Sequence, residues 1–257
     1  MFTLDCSTRS QVLLTLSAGF GCAVAEMENV LLSIDLEKIY ETDHSIMIDS
    51  SQYLREYVYS ELGIPGTFTT ALWFHGTRTF ADNTFENGLF ALNQSESLVM
   101  DMLVNLAPDA EAKERLQAWN FHAAVPDFLF QTRTKEKIHW GPYGHLVREV
   151  HLHARKLWQH DYVRLPELVE DVCNAYKKTY GRDLTEYFLK VLNPCIVWFR
   201  ANIDYQEGAL EAALSYAYTS VRKLPPESDA VYGIDRHGKR VSADDIVNVE
   251  FILTDQT

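Results

Sequence analysis

Near residue 65 the chain changes from helical to strand-like patterning. Residues 50–63, SSQYLREYVYSELG, place apolar side chains at helical spacing, and the first 65 residues as a whole have helical character. Residues 64–74, IPGTFTTALWF, begin with proline and glycine and continue with β-branched and aromatic residues, which indicates a strand. This order predicts an α+β fold with an N-terminal helical layer.

Strands and helices are mixed in the rest of the chain. Pattern and turn residues predict strands over 128–134, 194–201 and 244–255, helices over 165–181 and 208–226, and a short turn followed by a helix within 82–106. The helix at 165–181 has the clearest signals, because Pro166 suits a first helical turn and Gly181 suits a helix end.

Composition excludes some classes of protein. The chain has 257 residues, of which 47% are hydrophobic, so it can bury a large core. Its formal net charge of -13 repels nucleic acid at long range. Residues 11–25 resemble the apolar part of a signal peptide, but no basic segment precedes them and they are too short to span a bilayer. We interpret them as a buried helix and expect a soluble, cytoplasmic protein that does not enter membranes.

The run LWFHGTRTF, residues 72–80, places His75 and Gly76 directly after an apolar strand. A histidine at a strand end is often structural, but a following glycine lets a ligand approach the main chain. Thr77 and Arg78 add two further polar groups to the same segment. The run is therefore a candidate ligand-binding edge.

Two other stretches carry candidate site residues. Tyr143 lies between glycines in GPYG, where it is either a surface residue of a turn or an exposed ring on which a flat ligand stacks. Glu250 shares a face of the last predicted strand with Ile246 and Ile252. Such a carboxylate has a partner, lines a cleft or faces water on an edge strand.

Histidines at four positions raise the question of a metal site. Of these, His151 and His153 share a face only if they lie on a strand, and no HExxH spacing is present. The other two are His145 and His160. No metal site is predicted.

The segments FHGT, TFENGL and GPYG, followed by a glutamate in a late strand, resemble the His-Tyr-Glu signature of one branch of ADP-ribosyltransferases, that of diphtheria toxin and poly(ADP-ribose) polymerases. The resemblance covers residues 66–257 and implies a split β-sheet core. It makes 1–65 an N-terminal helical region and 145–193 a mainly helical insertion.

The resemblance also implies roles for individual residues toward NAD as a co-substrate. In the family the histidine, here His75, binds the adenosine ribose, and the next glycine, here Gly76, pairs with the nicotinamide amide. The tyrosine, here Tyr143, stacks on nicotinamide. The glutamate, here Glu250 with Glu207 as the alternative, stabilises the oxocarbenium-like transition state. Thr77 and Arg78 are expected beside the cofactor.

The function implied is NAD-dependent mono-ADP-ribosyltransfer by an intracellular toxin or antiviral defence effector, restrained by a neutralising antitoxin. The acceptor, nucleic acid such as RNA or protein, stays open at this point. The alternative is a catalytically inactive module of the same fold that binds NAD, ADP-ribose or a protein. A third activity, NAD-dependent removal of a phosphate from RNA, requires a set of arginines that the sequence does not clearly provide.

Overall fold

The computed structural model describes residues 1–253 of the chain. Over these residues the strands are β1 Phe2–Leu4, β2 Phe68–Thr79, β3 Tyr143–His145, β4 Asn193–Asn202, β5 Gly233–Asp235 and β6 Ile246–Phe251. The helices are α1 Arg9–Phe20, α2 Val24–Ser33, α3 Leu36–Thr42, α4 Ser50–Leu62, α5 Leu92–Asn105, α6 Ala110–His122, α7 Phe128–Lys135, α8 Glu149–Leu152, α9 Glu167–Tyr180, α10 Thr185–Val191 and α11 Gln206–Val221. The α+β class is confirmed.

The strands form one open sheet in the order β5-β3-β2-β4-β6. The first part of β2 pairs in parallel with β1, and Phe74 further along β2 lies opposite His145 of the antiparallel strand β3. At the other edge, the Ile252 N–H just after β6 donates to the carbonyl of Pro194 in β4 at 2.9 Å. The central strand β2 therefore carries the predicted His-Gly-Thr run.

Most predicted elements are present, and their ends follow the expected signals. Thr8 caps α1 by accepting from the Gln11 N–H, and Gly21 ends that helix in the left-handed conformation. Helices over 50–63, 165–181 and 208–226 and strands over 64–74, 194–201 and 244–255 are confirmed, although residues 254–255 lie outside the described part.

The strand predicted over 128–134 is wrong, because these residues form α7. Asp127 caps the helix by accepting from the Phe130 N–H at 3.0 Å. The hydroxyls of Thr132 and Thr134 donate back to the carbonyls four residues earlier, at 2.9 Å in both cases. The Asp127 cap favours a helix over the strand that the residue types suggested, and the two threonine hydroxyls find their acceptors within that helix.

Two compact units divide the chain. The first combines Met1–Phe74, Gly144–His160 and Phe199–Ile234, so the predicted boundary near residue 65 falls inside it. Its centre is α11, which is buried along most of its length and against which α1, α2 and α4 pack.

No single helix within 1–253 is long and apolar enough to cross a membrane. Two neighbouring helical stretches, Arg9–Phe20 and Val24–Thr42, pass that test only when taken together, and they are bent by 101°.

The second unit combines His75–Tyr143, Asp161–Trp198 and the residues from Asp235 onward. Its apolar core is formed by α5, α6, α7, α9 and α10. Within it one side of α9 is buried, with Tyr176 fully enclosed. The segment 145–193 is mainly helical, and its parts lie in both units.

Glu149 joins three elements of the first unit. Its carboxylate accepts two hydrogen bonds from Arg9, at 3.1 and 3.0 Å, and one from the Tyr216 hydroxyl at 2.9 Å. Burial raises the pKa of Glu149, but the bonds from Arg9 and Tyr216 outweigh it, so that the net shift is downward. The charged form is therefore favoured by folding.

Because the folded-state pKa of Glu149 is lowered, its contribution to stability is present above the ordinary pKa and lost as the pH falls through the folded value. We expect Glu149→Gln to lower the free energy of unfolding by about 1–2 kcal/mol at pH 7 and to weaken its dependence on pH below 4.5. Urea unfolding between pH 3 and 7 measures both. Glu207→Gln is the matched control, because Glu207 is 61% exposed in its ion pair with Arg55. Equal effects of the two variants on the free energy of unfolding would contradict the stabilising role of the Glu149 carboxylate.

Candidate functional site

His75 and Tyr143 are brought together by a hydrogen bond across β2 and β3. Nδ1 of His75 lies 2.7 Å from the main-chain oxygen of Tyr143. A carbonyl only accepts, so Nδ1 carries the proton and Nε2 is the unprotonated nitrogen. Burial lowers the pKa of His75, which keeps the imidazole neutral at pH 7. Among residues 1–253 no group bonds to Nε2, which leaves one oriented acceptor at this position.

The ring of Tyr143 is also fixed. Its hydroxyl donates to the carbonyl of Ile138 at 2.6 Å, while the residue stays 38% exposed. Gly141 has a φ of +54°, and a side chain there would come within 2.8 Å of Tyr143 Cδ2. The ring therefore lies over main chain that only glycine provides. Burial, followed by the charges of Asp235 and Glu167, raises the pKa of Tyr143 to about 12.

Asp235 is the carboxylate that the strand order brings next to Tyr143. It ends β5, the neighbour of β3, and the Arg236 N–H donates to the Pro142 carbonyl at 3.1 Å. Its carboxylate accepts from the main-chain N–H of His237 at 2.7 Å and lies 2.9 Å from His237 Nδ1. Asp235 is not among the candidate residues that the sequence predicted. The signal that could have found Asp235 is its place directly after the short run VYGI.

Glu250 lies elsewhere on the sheet. It belongs to β6, and its carboxylate accepts from the indole N–H of Trp198 at 3.1 Å. Two strands, β4 and β2, separate β6 from β3 in the sheet order, which corresponds to about 14 Å between the strand axes. The structure therefore does not bring Glu250 beside Tyr143.

The alternative glutamate, Glu207, lies in the first turn of α11. It pairs with Arg55 at 3.1 Å and accepts from the Tyr205 hydroxyl at 3.2 Å. Glu207 belongs to the first compact unit, whereas His75 and Tyr143 belong to the second.

Arg78 has a structural position that the sequence did not predict. Its side chain is buried, with 8% of the residue exposed, and its guanidinium donates to the carbonyls of Val163, Leu189 and Leu192 at 3.0, 2.5 and 2.8 Å. Burial lowers its pKa. Since these donors are used by the protein itself, the position does not support contact with a cofactor. Gly76 is buried and Thr77 is half-buried on the same strand.

The TFENGL segment forms a turn next to Val241. The Gly88 N–H donates to the Phe85 carbonyl at 2.7 Å, and Leu89 pairs with Val241. Residues 81–86 and β6 line an open groove of about 420 Å³ that includes Asp82, Glu86 and Asn248. His75 and Tyr143 do not line this groove. Within 1–253 no three His, Cys, Asp or Glu side chains form a group that could hold a metal ion.

Comparisons with known proteins give no match: neither a family model, nor a curated protein, nor a solved structure is similar to the chain.

The position of Arg78 generates a stability prediction. Arg78→Lys removes the planar fork that reaches three carbonyls and leaves some of them without a donor, so we expect the free energy of unfolding to fall by at least about 2 kcal/mol. Arg200→Lys, on the exposed side of β4, is the matched control and should change it by less than about 0.5 kcal/mol. Urea unfolding measures both variants. Full stability of Arg78→Lys with lost NAD affinity would instead favour the cofactor role.

Proposed function

We propose that the chain binds NAD at His75 and Tyr143 and transfers its ADP-ribose group to a macromolecule. The observation that carries this proposal is the hydrogen bond from His75 Nδ1 to the main-chain oxygen of Tyr143. It joins the two motifs of the His-Tyr-Glu signature, which are 68 residues apart in the sequence. The sheet order adds support, because β2 and β3 are neighbours and β5 brings a carboxylate beside them.

The residues suit the chemistry. The unprotonated Nε2 of His75 accepts from a hydroxyl of the adenosine ribose, the main chain of Gly76 pairs with the nicotinamide amide, and the ring of Tyr143 stacks on the nicotinamide. In the reaction the bond between ribose C1′ and the nicotinamide nitrogen breaks, and nicotinamide leaves with the electron pair. The acceptor's oxygen or nitrogen forms the new bond to C1′ and releases a proton.

The transition state requires a negative charge near the ribose, because C1′ develops oxocarbenium character. We assign this role to Asp235 rather than to Glu250. Asp235 lies on the strand next to that of Tyr143, and its negative charge contributes to the raised pKa of the Tyr143 hydroxyl. The main-chain bond from His237, with its Nδ1 also 2.9 Å from the carboxylate, orients Asp235, as preorganised electrostatic stabilisation needs.

Two features favour a second candidate function, an inactive module that reads NAD or ADP-ribose. The glutamate of the signature, Glu250, is bonded to Trp198 on a different strand, and Asp235 has a shorter side chain than a glutamate. Nicotinamide release separates the two functions, since a reader binds NAD without cleaving it.

An active transferase of this kind consumes NAD in the cell that makes it. The proposal therefore includes a toxin or defence role and a neutralising partner, with expression of active and inactive variants in a host cell as its test.

The carboxylate assignment is tested with Asp235→Asn and Glu250→Gln as a matched pair. We expect Asp235→Asn to lower nicotinamide release by about a hundredfold or more, because it removes the charge while nearly preserving the shape. Glu250→Gln should keep turnover within a few-fold. Binding of NAD, measured by calorimetry, should change little in both variants, since His75 and Tyr143 remain.

Three outcomes would change the proposal. Loss of turnover only in Glu250→Gln would show that the sequence-based assignment of Glu250 is right and that of Asp235 wrong. A wild-type protein that binds NAD but releases no nicotinamide would be a reader. A wild-type protein that does not bind NAD would exclude both functions.

A further inference from the structure

Strand β6 forms one edge of the sheet. It is the last strand in the order β5-β3-β2-β4-β6, and the N–H of Ile252, directly after it, bonds to β4. Main-chain groups alternate in direction along a strand, so those of Val247, Val249 and Phe251 point away from β4. Within 1–253 no strand pairs with them. The edge therefore offers a row of N–H and C=O groups with which another extended chain can pair.

The β6 edge lacks the features that usually keep strand edges from pairing. Proteins protect such edges with short strands, prolines, lysines or other charges. The opposite edge strand, β5, is three residues long, whereas β6 has six residues, IVNVEF, without proline or lysine. Its one charged side chain, Glu250, accepts a hydrogen bond from Trp198 of β4. Val247 and Phe251, on the other face of the strand, are instead 45% and 37% exposed.

A groove runs along this edge. Residues 81–86 and β6 enclose its open volume of about 420 Å³. The lining includes the consecutive residues from Ile246 to Val249, whose side chains point alternately to the two faces of the sheet. A groove on one face would contact only every second residue. This groove therefore follows the edge itself, where the main chain is accessible.

The opposite wall of the groove is fixed by its own hydrogen bonds. The side-chain amide of Asn83 donates to the Thr79 hydroxyl at 2.8 Å, and its oxygen accepts from the Phe85 N–H at 2.9 Å. The Gly88 N–H donates to the Phe85 carbonyl at 2.7 Å. An incoming segment therefore does not have to order this wall before it binds.

The charged side chains of the groove are acidic. Asp82 and Glu86 line it and are exposed, and none of its described lining residues is a lysine or arginine. Within 1–253 neither carboxylate takes part in an ion pair. Two further exposed carboxylates, Asp244 and Asp245, directly precede β6, and the nearest arginine before them, Arg240, does not line the groove. A partner segment with positive charge therefore complements this groove.

We propose that β6 and residues 81–86, here called the β6 groove, bind an extended segment of a partner protein that alternates apolar residues with lysine or arginine. The segment adds a strand to the sheet, and its main chain pairs with the outward groups of β6. Its apolar side chains cover Val247 and Phe251, and its cations lie near Asp82 and Glu86. The proposal does not rest on the transferase function, because His75 and Tyr143 do not line the groove.

Other ligands suit the β6 groove less well. Pairing of β6 with that of a second copy would bring the carboxylates of both grooves together, and each chain has a formal net charge of -13. Nucleic acid is repelled for the same reason. A lipid does not offer the regularly spaced donors and acceptors with which a strand edge pairs.

The test is fluorescence anisotropy with a labelled eight-residue peptide of alternating lysine and valine. Val249→Pro removes an outward main-chain donor and places a ring at the edge, so it should weaken binding by about tenfold or more. The Val249 N–H does not face β4, and proline is tolerated at such edge positions. The melting temperature should therefore fall by less than about 5 °C.

Two methylated versions of the peptide test the main-chain bonds on the wild-type protein. In an extended peptide the N–H groups of the lysines point to one edge and those of the valines to the other. N-methylation of all lysines, or of all valines, therefore removes the donors of one edge alone. One of the two peptides should bind at least about tenfold more weakly than the other.

A matched pair of variants tests the charge of the groove. Glu86→Gln should weaken peptide binding by about 1.5- to 5-fold at low salt, and the difference should shrink as the salt concentration rises. Glu114→Gln removes an exposed carboxylate of α6 that does not line the groove, so it should not affect binding.

Four results would overturn the proposal: no peptide binding by the wild type, equal binding of the two methylated peptides, unchanged binding by Val249→Pro, or equal binding by Glu86→Gln and Glu114→Gln. A wild-type dimer in sedimentation velocity that is lost in Val249→Pro would overturn it in favour of pairing between two copies. Nicotinamide release is measured on the same protein. Peptide binding without NAD cleavage would exclude the transferase and still support the β6 groove.

Discussion

The second compact unit depends on one buried cation. Arg78 extends from the central strand β2, and its guanidinium binds the carbonyls of Val163, Leu189 and Leu192. Burying a guanidinium costs free energy unless its N–H groups have acceptors. The strand β2, the segment of Val163 and the segment of Leu189 and Leu192 are therefore held in fixed positions relative to one another. Three residues earlier on the same strand, His75 is held by Tyr143. The candidate site is thus attached to a strand whose position is strongly constrained.

Hydrogen bonds, more than packing, orient the groups of this site. The imidazole of His75 is held at one nitrogen, the ring of Tyr143 by its hydroxyl and the carboxylate of Asp235 by His237. The bonds of His75 and Tyr143 each use one polar atom and leave the second imidazole nitrogen and the face of the phenol ring for a ligand. Such an arrangement is preorganised, because binding does not have to order these side chains first.

Local signals predicted most of the fold, whereas the residues of the candidate site depend more on contacts between distant segments. The caps and apolar stripe of α9, and the strand leading to His75, were readable because they depend on neighbouring residues. Helix α7 was missed because its aromatic residues and threonines are typical of strands, whereas the Asp127 cap starts a helix there. Pairing of His75 with Tyr143 followed from motif resemblance. The place of Asp235 and the burial of Arg78 depend on strand order and on contacts with distant segments, which a single sequence does not encode locally.

The order of the strands also matters during synthesis on the ribosome. The carbonyls that bind Arg78 lie 85, 111 and 114 residues further along the chain. Asp235 is made after all of them. Contacts of such long range form late in folding. A nascent chain therefore carries His75 and Tyr143 before the carbonyls that bind Arg78, and the carboxylate of Asp235, have been made.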